Sequence, residues 1–239
     1  ETAMAKAEQL RSNLLRSMSH DLRTPLTSIS GNAGVLLKDA GTLDEAHKHR
    51  IYSDIYDDSM WLISLVENLL SITRMEGGAV QLHMETELLE EVIDEAMRHV
   101  NRRHENHSIH VTQEGDYILA CVDAQLIIQV ITNLVDNAIK YTPDGSSITI
   151  KSYKDNGNAV IEVSDNGPGI PDESKDRIFQ MFYTTGHKSA DGKRGMGLGL
   201  PLCRAILNAH KGTIEVLDNT PSGSIFRLTL PAEEVSFHE

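Results

Sequence analysis

The stretch Asn133-Leu134-Val135-Asp136-Asn137-Ala138-Ile139-Lys140-Tyr141 combines a polar and an apolar pattern. Asn133, Asn137 and Tyr141 recur at four-residue spacing with Lys140 beside them, so a helix places them on one face. The apolar residues between them supply a separate face that can be buried. Amide oxygens suit a hard cation such as Mg²⁺, and a lysine supplies a phosphate contact. The stretch therefore predicts an amphipathic helix that presents a site for a cation and a phosphate.

Two glycine-rich segments follow this helix along the chain. Asp165-Asn166-Gly167-Pro168-Gly169-Ile170 comes after a strand pattern, and Gly195-Met196-Gly197-Leu198-Gly199-Leu200 precedes a helix pattern. Asp165 at a strand end is placed to accept a hydrogen bond from an exocyclic amine such as that of adenine. The glycines let backbone approach a ligand, and a helix N-terminus favours phosphates. A dinucleotide fold is excluded because no strand precedes the second segment, and residues 186–189 lack P-loop spacing.

Strand and helix patterns surround these motifs. Asp123 is a good N-cap for the helix that reaches Tyr141, and Asp155-Asn156-Gly157 predicts a hairpin turn. Strands are predicted at Ala79–Glu85, Ile109–Thr112, Tyr117–Val122, Ser147–Tyr153, Ala159–Ser164, Thr213–Leu217 and Ser224–Leu230, and further helices at Leu88–Val100, Asp172–Met181 and Gly197–Ala209. This order favours a two-layer α/β sandwich.

The chain before Gly77-Gly78 has the period of helices instead. Apolar residues recur every three or four positions from Met4 to Leu36, and heptad-like from Ile51 to Ile72 with Asp58 as a polar intrusion. Two helices of about 30 residues, each about 45 Å long, are expected to form a hairpin. The two helices of one hairpin cannot cover all of each other's apolar stripes. We expect a homodimer with a four-helix bundle; packing against the rest of the chain is the alternative.

The first helix carries a histidine close to a proline, in Ser19-His20-Asp21-Leu22-Arg23-Thr24-Pro25-Leu26. Pro25 removes one helical hydrogen bond, so a bend is predicted beside His20. His20 points away from the apolar stripe, and Asp21 can hold one ring nitrogen while the other acts as a nucleophile. Thr24 lies one turn further on the same face and can position a water. A solvated surface histidine is the alternative, which these neighbours disfavour.

The composition restricts the class of protein. The 239 residues contain 22 Lys plus Arg against 35 Asp plus Glu, a net charge of -13 that repels nucleic acid and anionic lipid. We therefore expect no nucleic-acid partner and no membrane contact by this chain. Cys121 and Cys203 have no paired spacing, which favours a reducing compartment. The chain opens within a helical pattern and without a signal peptide, so we expect a fragment of a longer protein.

Together these residues resemble the bacterial sensor histidine kinases of two-component systems. The motifs that match the family's are the phosphoacceptor box at Ser19–Leu26, the N box at Asn133–Tyr141, the first glycine box at Asp165–Ile170, the F box at Ile178–Tyr183, the second glycine box at Gly195–Leu200 and the last nucleotide motif at Gly223-Ser224. Ser19–Leu37 and Phe182-Tyr183-Thr184 further resemble the potassium-responsive, Kdp-type sensor kinases.

The resemblance implies an α + α/β architecture in two domains. Residues 1–77 would form the dimerisation and histidine-phosphotransfer hairpin, and residues 78–239 a Bergerat-type α/β sandwich that binds ATP. It further implies a cytoplasmic location, as the catalytic part of a membrane-attached sensor.

The implied reaction is autophosphorylation of His20 from Mg-ATP, with Asp21 and Thr24 as further catalytic residues. The phosphoryl group would pass to an aspartate in the receiver domain of a response regulator, which the protein would also dephosphorylate. Nucleotide contacts are expected from Asn133, Asn137, Lys140, Tyr141, Asp165, Gly167, Gly169, Ile170, Lys188, Gly195, Gly197, Leu198, Gly199 and Ser224, with Asn137 also the metal ligand.

Two other functions compete with this interpretation. Hydrolytic ATPases of the same fold resemble the chain but carry a glutamate base where Asn133 stands, and an amide cannot abstract a proton from water. A degenerate kinase that acts only as a dimeric scaffold is the second rival. His20, Asn137, Asp165 and the loop glycines are all present, which disfavours it.

One departure from the family generates a prediction. Many relatives carry an arginine after the F-box aromatic pair, whereas this chain has Thr184-Thr185. Lys188, Lys193 and Arg194 in the lid, which we define as Thr184–Arg194, are the replacement candidates, and solvated lid charges are the alternative. We favour Lys188 because it lies on the F-box side.

Lys188→Ala is expected to lower the autophosphorylation rate at saturating ATP roughly tenfold or more, about 1.4 kcal/mol in the barrier. ADP affinity should change less, because ADP lacks the γ-phosphate that Lys188 is expected to contact. Single-turnover labelling with γ-labelled ATP measures the rate. An unchanged rate would reject Lys188 and direct attention to Arg194.

Overall fold

The computed structural model describes residues 22–38, 41–77, 81–100, 106–185, 195 and 197–233. The chain divides into two compact units, Glu1–Leu70 and Ser71–Glu239. His20, Asp21 and Lys188 lie outside the described residues, and the domain boundary after residue 77 stays a prediction. Within the described ranges, no helix combines the length and apolarity that crossing a bilayer requires.

The described residues before Gly77 are mainly helical, as the periodicity predicts. Residues 22–38 form helix α1, in which Pro25 is buried, and Glu45–Glu76 form helix α2. Asp44 precedes α2, and its Oδ1 accepts the His47 backbone N–H at 2.7 Å. This hydrogen bond, together with a side-chain contact to His47, lowers the pKa of Asp44. A capped start therefore fixes where α2 begins.

Helix α2 has two apolar faces. On the predicted heptad face, Leu65 and Ile72 are each 1% exposed. The neighbouring face carries what we call the outer stripe, whose members are 43% to 65% exposed: Tyr52, Tyr56, Met60, Ile63, Val66 and Leu70. A single copy of the chain thus leaves an apolar stripe about 27 Å long in contact with water.

The second unit contains two sheets and four helices among its described residues. Its strands are β1 Glu85–Leu88, β2 Ser108–Gln113, β3 Leu119–Val122, β4 Ser147–Asp155, β5 Asn158–Asp165, β6 Thr213–Asp218 and β7 Ser224–Pro231, and its helices are α3 Leu89–His99, α4 Ala124–Tyr141, α5 Asp172–Lys175 and α6 Gly199–Ala209. The larger sheet has the order β2-β4-β5-β7-β6, with β2 parallel to β4 and the other neighbours antiparallel. Strands β1 and β3 form a separate antiparallel pair.

The core lies between the larger sheet and the helices. Helix α4 packs on β4 and β5, α6 packs on β6 and β7, and α3 packs on α4. Alternate residues of β4 and β5 point inward, and Ile148, Ile150 and Ile161 are fully buried. Burial of one such side chain contributes about 1.5–3 kcal/mol. The two-layer sandwich predicted from the sequence is confirmed.

Two predicted elements are wrong in extent. The strand expected at Ala79–Glu85 is instead β1, Glu85–Leu88, which pairs in register with Leu119–Val122. The helix expected at Asp172–Met181 ends at Lys175 and continues as tight turns. Its chain direction changes at Phe182, where φ is +63°. Both differences arise from partners distant in sequence, which local patterns do not report.

A buried junction connects α4 to the end of α6. Asp123 caps α4 as predicted, and its Oδ1 accepts the Leu126 N–H at 3.4 Å. Its own N–H donates to Nε2 of His210 at 3.0 Å, and Nδ1 of His210 lies 2.8 Å from the Ile206 carbonyl oxygen. His210 is 2% exposed. The junction therefore fixes the two helices that carry the N box and the second glycine box to one another.

Candidate nucleotide-binding site

The polar face of α4 lies along the second glycine segment. A Cβ atom placed on Gly195 would collide with the Tyr141 hydroxyl and lie 3.4 Å from Nζ of Lys140. A Cβ on Gly199 would lie 4.0 Å from Nδ2 of Asn137. Burial raises the pKa of Tyr141 above its ordinary value, so its hydroxyl stays neutral. The structure therefore brings these predicted site residues together in one place.

Helix α6 begins at this point. Its first residue is Gly199, and the preceding Leu198 is fully buried and makes no side-chain cap hydrogen bond. The first backbone N–H groups of the helix thus have no side-chain acceptor from the cap. These groups, with the positive end of the helix dipole beside Asn137, favour an anionic ligand.

Both N-box amides have polar atoms without hydrogen-bond partners among the described residues. Within the described part of the chain, the Asn137 side chain forms no hydrogen bond. The Asn133 Nδ2 lies 3.9 Å from Sγ of Cys203, which leaves the Asn133 Oδ1 without a partner among the described residues. Burial raises the pKa of Cys203 to about 12, so this sulfur stays a neutral thiol.

A divalent cation would fit these amide oxygens only if water and phosphate oxygens supplied most of its ligands. The described residues contain no cluster of three His, Cys, Asp or Glu side chains that could enclose a metal. Mg²⁺ characteristically takes few protein ligands and completes its shell with water and substrate phosphates. We expect Asn137, with Asn133 beside it on the same face, to supply oxygen donors of that kind.

Asp165 lies at the end of β5 with its two oxygens in different roles. The side chain is largely buried, and Oδ1 accepts the Gly167 N–H at 2.9 Å and the Ser224 N–H at 3.4 Å. Oδ2 has no hydrogen-bond partner among the described residues. Burial raises the pKa of Asp165, and the two N–H donors offset part of that rise. One oxygen is therefore fixed by the backbone and the other is available to a ligand.

Glycines of the first segment allow the chain to pass close to its neighbours. A Cβ on Gly167 would lie 2.6 Å from Cγ2 of Thr142. Gly169 has φ +78°, and a Cβ there would lie 3.2 Å from the Gly223 carbonyl oxygen. Gly223 itself, at φ +113°, leaves no room for a Cβ beside the Asp165 carbonyl. Any side chain at these positions would displace the Asp165 loop.

Comparison with known proteins identifies the family. Residues 10–78 match the His Kinase A (phospho-acceptor) domain, and residues 122–234 match the Histidine kinase-, DNA gyrase B-, and HSP90-like ATPase family. Sensor protein KdpD of Clostridium acetobutylicum is 44% identical over 226 residues, which cover 95% of this chain and 25% of that protein. Sensor protein KdpD of Escherichia coli is 35% identical, covering 98% of this chain and 26% of that protein.

The chain belongs to the sensor histidine kinases. The resemblance to the Kdp type is confirmed, and the chain spans about a quarter of the length of these curated relatives. The crystal structure of histidine kinase ThkA in complex with response regulator protein TrrA is similar with a TM-score of 0.75. That match is 26% identical and covers 96% of this chain and 64% of the other.

In this histidine kinase the F box contacts the second glycine box and α6. The Phe182 N–H donates to the Gly197 carbonyl at 2.8 Å, and a Cβ on Gly197 would lie 2.7 Å from the Phe182 carbonyl carbon. Arg204 of α6 donates to the Phe179 carbonyl at 2.9 Å and lies over its ring. The F box and the second glycine box are thus held next to one another.

The structure adds residues that sequence reasoning missed. Asn219 donates from Nδ2 to the Asp165 carbonyl at 2.7 Å, and Thr142 and Cys203 contact Gly167 and Asn133. No motif marked these three side chains. Among the predicted residues, Ser224 approaches the site with its backbone N–H, and Ile170 is half-buried. The role of each site residue stays a prediction.

The environment of Asp165 generates a pH prediction for this kinase. The ionised Asp165 carboxylate would accept a hydrogen bond from the adenine amine. Affinity for ADP should therefore fall as the pH decreases through the pKa of Asp165. Because burial raises that pKa, the fall should begin at a higher pH than for an ordinary aspartate of about 3.9. Asp165→Asn should bind ADP roughly tenfold or more weakly, about 1.4 kcal/mol, with a flatter profile.

Calorimetry with ADP in chelator, from about pH 8 to about pH 5, measures this difference in a range above the reference pKa of aspartate, where an ordinary aspartate stays ionised. The Asp165→Asn profile also reports protonation of the nucleotide itself, which is subtracted. Parallel profiles for the two proteins would contradict the assignment.

Proposed function

We propose that this chain is the catalytic core of a sensor histidine kinase that phosphorylates His20 from Mg-ATP. The product would pass its phosphoryl group to an aspartate of a response regulator's receiver domain. The observation that carries the proposal is that helix α4 contacts both glycine segments, in a chain that also matches a phosphoacceptor domain. Its N box lies against Gly195 and Gly199, and Thr142 at its end lies against Gly167 in the Asp165 loop. We assign residues 1–77 to phosphotransfer and residues 78–239 to ATP binding.

The nucleotide would lie with its two ends on different elements. The adenine amine would donate to Oδ2 of Asp165, and the phosphates would lie at the start of α6 near Lys140 and Tyr141. Asn137, with Asn133, would hold Mg²⁺ through amide oxygens. When bound, the cation neutralises phosphate charge. Gly195, Gly197 and Gly199 would let the backbone approach the phosphates, as Gly167 and Gly169 do for the base.

The reaction is an in-line displacement at the γ-phosphorus. The unprotonated ring nitrogen of His20 forms the N–P bond while the bond to the oxygen between the β- and γ-phosphorus breaks, and ADP leaves. Asp21 accepts a hydrogen bond from the other ring nitrogen and orients the imidazole. Positioning and charge stabilisation supply most of the acceleration, because the protein performs little covalent chemistry of its own.

Transfer is favoured over hydrolysis by the identity of residue 133. An amide stands at the position where hydrolytic relatives carry a carboxylate base, and the Asn133 Nδ2 faces the neutral thiol of Cys203. Neither group accepts a proton from water at neutral pH. Bound ATP therefore lacks a general base at this position.

The partner of the phosphorylated chain is proposed to be a receiver domain. The similar ThkA structure is a complex with a response regulator protein, which supports this assignment. Thr24, exposed on α1, would position the water that dephosphorylates the regulator. We place this catalytic region on the cytoplasmic side of a membrane-attached sensor.

The proposed function predicts that His20 is the sole phosphoacceptor. His20→Gln should bind ATP like the original chain and take up no label from γ-labelled ATP, because it lacks the nucleophilic nitrogen. Acid-labile label on the protein is the measurement, and His47→Gln, changed at an exposed histidine of α2, is the control. Label retained by His20→Gln would place the acceptor among the ten other histidines.

We also propose that the outer stripe of α2 forms the interface of a homodimer. Six exposed apolar side chains on one helix face exceed the isolated ones usual on soluble surfaces. A second copy of the same helix offers a stripe of the same length and period, which a closed two-fold pair can cover. The homodimer implied by the family resemblance supports a second copy of this chain as the occupant.

Ile63→Asp is expected to shift the chain from dimer toward monomer, because the new charge would be buried at the interface. Analytical ultracentrifugation measures the mass against 26.4 kDa for one chain. Asp54→Ala, also exposed on α2 but on another face, is the matched control. A monomeric unmodified chain at micromolar concentration, or a dimeric Ile63→Asp, would reject the interface.

A further inference from the structure

Thr142 lies against the glycine loop that follows Asp165. It follows the last residue of α4 in extended conformation and is 3% exposed. Its Cγ2 methyl occupies the place that a side chain on Gly167 would need, 2.6 Å from the expected Cβ position. The Gly167 N–H in turn donates to Oδ1 of Asp165. The position of this methyl group therefore affects how the Asp165 carboxylate is held.

The orientation of Thr142 is fixed by two hydrogen bonds to its hydroxyl. Oγ1 donates to the Ala138 carbonyl at 2.7 Å and lies 3.0 Å from Nε2 of His107. Because the single hydroxyl proton goes to Ala138, Oγ1 can only accept from His107. His107 must therefore carry its proton on Nε2. Threonine has three staggered χ1 states, and holding Oγ1 also holds Cγ2 against Gly167.

His107 is committed to this one contact. Its other ring nitrogen, Nδ1, is buried and has no hydrogen-bond partner in the described part of the chain. A buried nitrogen without a partner has a free-energy cost, which an ordinary core side chain would avoid. Nothing in the sequence motifs singles out His107, which lies 35 residues before Thr142.

We propose that His107 is a positioning residue for base recognition. Its Nε2–H holds the Thr142 hydroxyl, the Thr142 methyl then holds Gly167, and Gly167 holds Oδ1 of Asp165 so that Oδ2 faces the base. This inference rests on the proposed nucleotide site. It predicts that His107 contributes to the choice of adenine over guanine without touching the nucleotide, because guanine presents a carbonyl oxygen where adenine presents the amine.

Two substitutions at His107 separate the N–H donor from the volume of the ring. His107→Gln retains an N–H at the ε position, whereas His107→Leu removes it. In chelator, His107→Leu should bind ADP roughly fivefold or more weakly and show a smaller ratio of ADP to GDP affinity, while His107→Gln stays within about twofold of the original chain. His110→Leu is the matched control, at a histidine exposed on strand β2 three residues further along the chain, and should change neither quantity.

A thermodynamic cycle tests the route through Thr142. Thr142→Val keeps the methyl group but cannot accept from His107, so adding His107→Leu should then have little further effect. The backbone amide resonance of Gly167, recorded without nucleotide, should shift in His107→Leu and return in His107→Gln. A merely structural role would lower the unfolding temperature and leave the ADP to GDP ratio unchanged.

The inference is overturned if His107→Leu keeps the original ADP affinity and ratio, or if His107→Gln is as weak as His107→Leu. Those outcomes leave the nucleotide site intact, because the unmodified chain still binds ADP. Failure of the unmodified chain to bind ADP would instead reject the proposed function, and the role of His107 with it.

Discussion

Burial of one face of α4 determines where the nucleotide-site residues lie. Ile127, Ile131 and Leu134 are at most 1% exposed, and together they fix the rotation of the helix about its own axis. Each contributes about 1.5–3 kcal/mol, so turning the helix would cost more than any polar contact in the site supplies. With that face packed on the sheet, Asn137 lies beside Gly199 of the second glycine segment and Asn133 beside Cys203 of α6. The site geometry is therefore a consequence of core packing.

Elements with local signals could be predicted from the sequence, and those made by distant partners could not. Asp123 caps α4 as expected, and Asn156 at φ +47° with Gly157 makes the turn between β4 and β5. Strand β1 consists of Glu85–Leu88, whose polar residues carry no strand pattern, and it exists because β3 pairs with it. The turns after Lys175 likewise end where the Phe182 N–H reaches Gly197.

The candidate site divides in the same way. The amides, the aspartate and the glycines indicate a nucleotide site by their residue types and spacing. We could therefore expect the N box and the glycine segments to lie close together. Thr142 could not be expected, because a threonine methyl against Gly167 leaves no trace in either local pattern. The outer stripe of α2 did leave a trace at helical spacing, from Tyr52 to Leu70, but the heptad positions beside it carried the stronger signal. The sequence does not distinguish these two faces of α2, and only the solvent exposure of their side chains shows which one is covered.

Neutral hydrogen-bonding groups explain how a negatively charged chain could bind a phosphate ligand. A net charge of -13 opposes the approach of ATP, so affinity has to come from groups at short range. Backbone N–H groups at the start of α6 are dipoles already fixed by the helix, so they would need little reorganisation when the proposed ligand binds. The amide at Asn133 has a second consequence, because it replaces a potential base with a group that cannot take a proton. The proposed kinase reaction requires that combination, since the γ-phosphoryl group would have to persist beside water until an imidazole nitrogen reaches it.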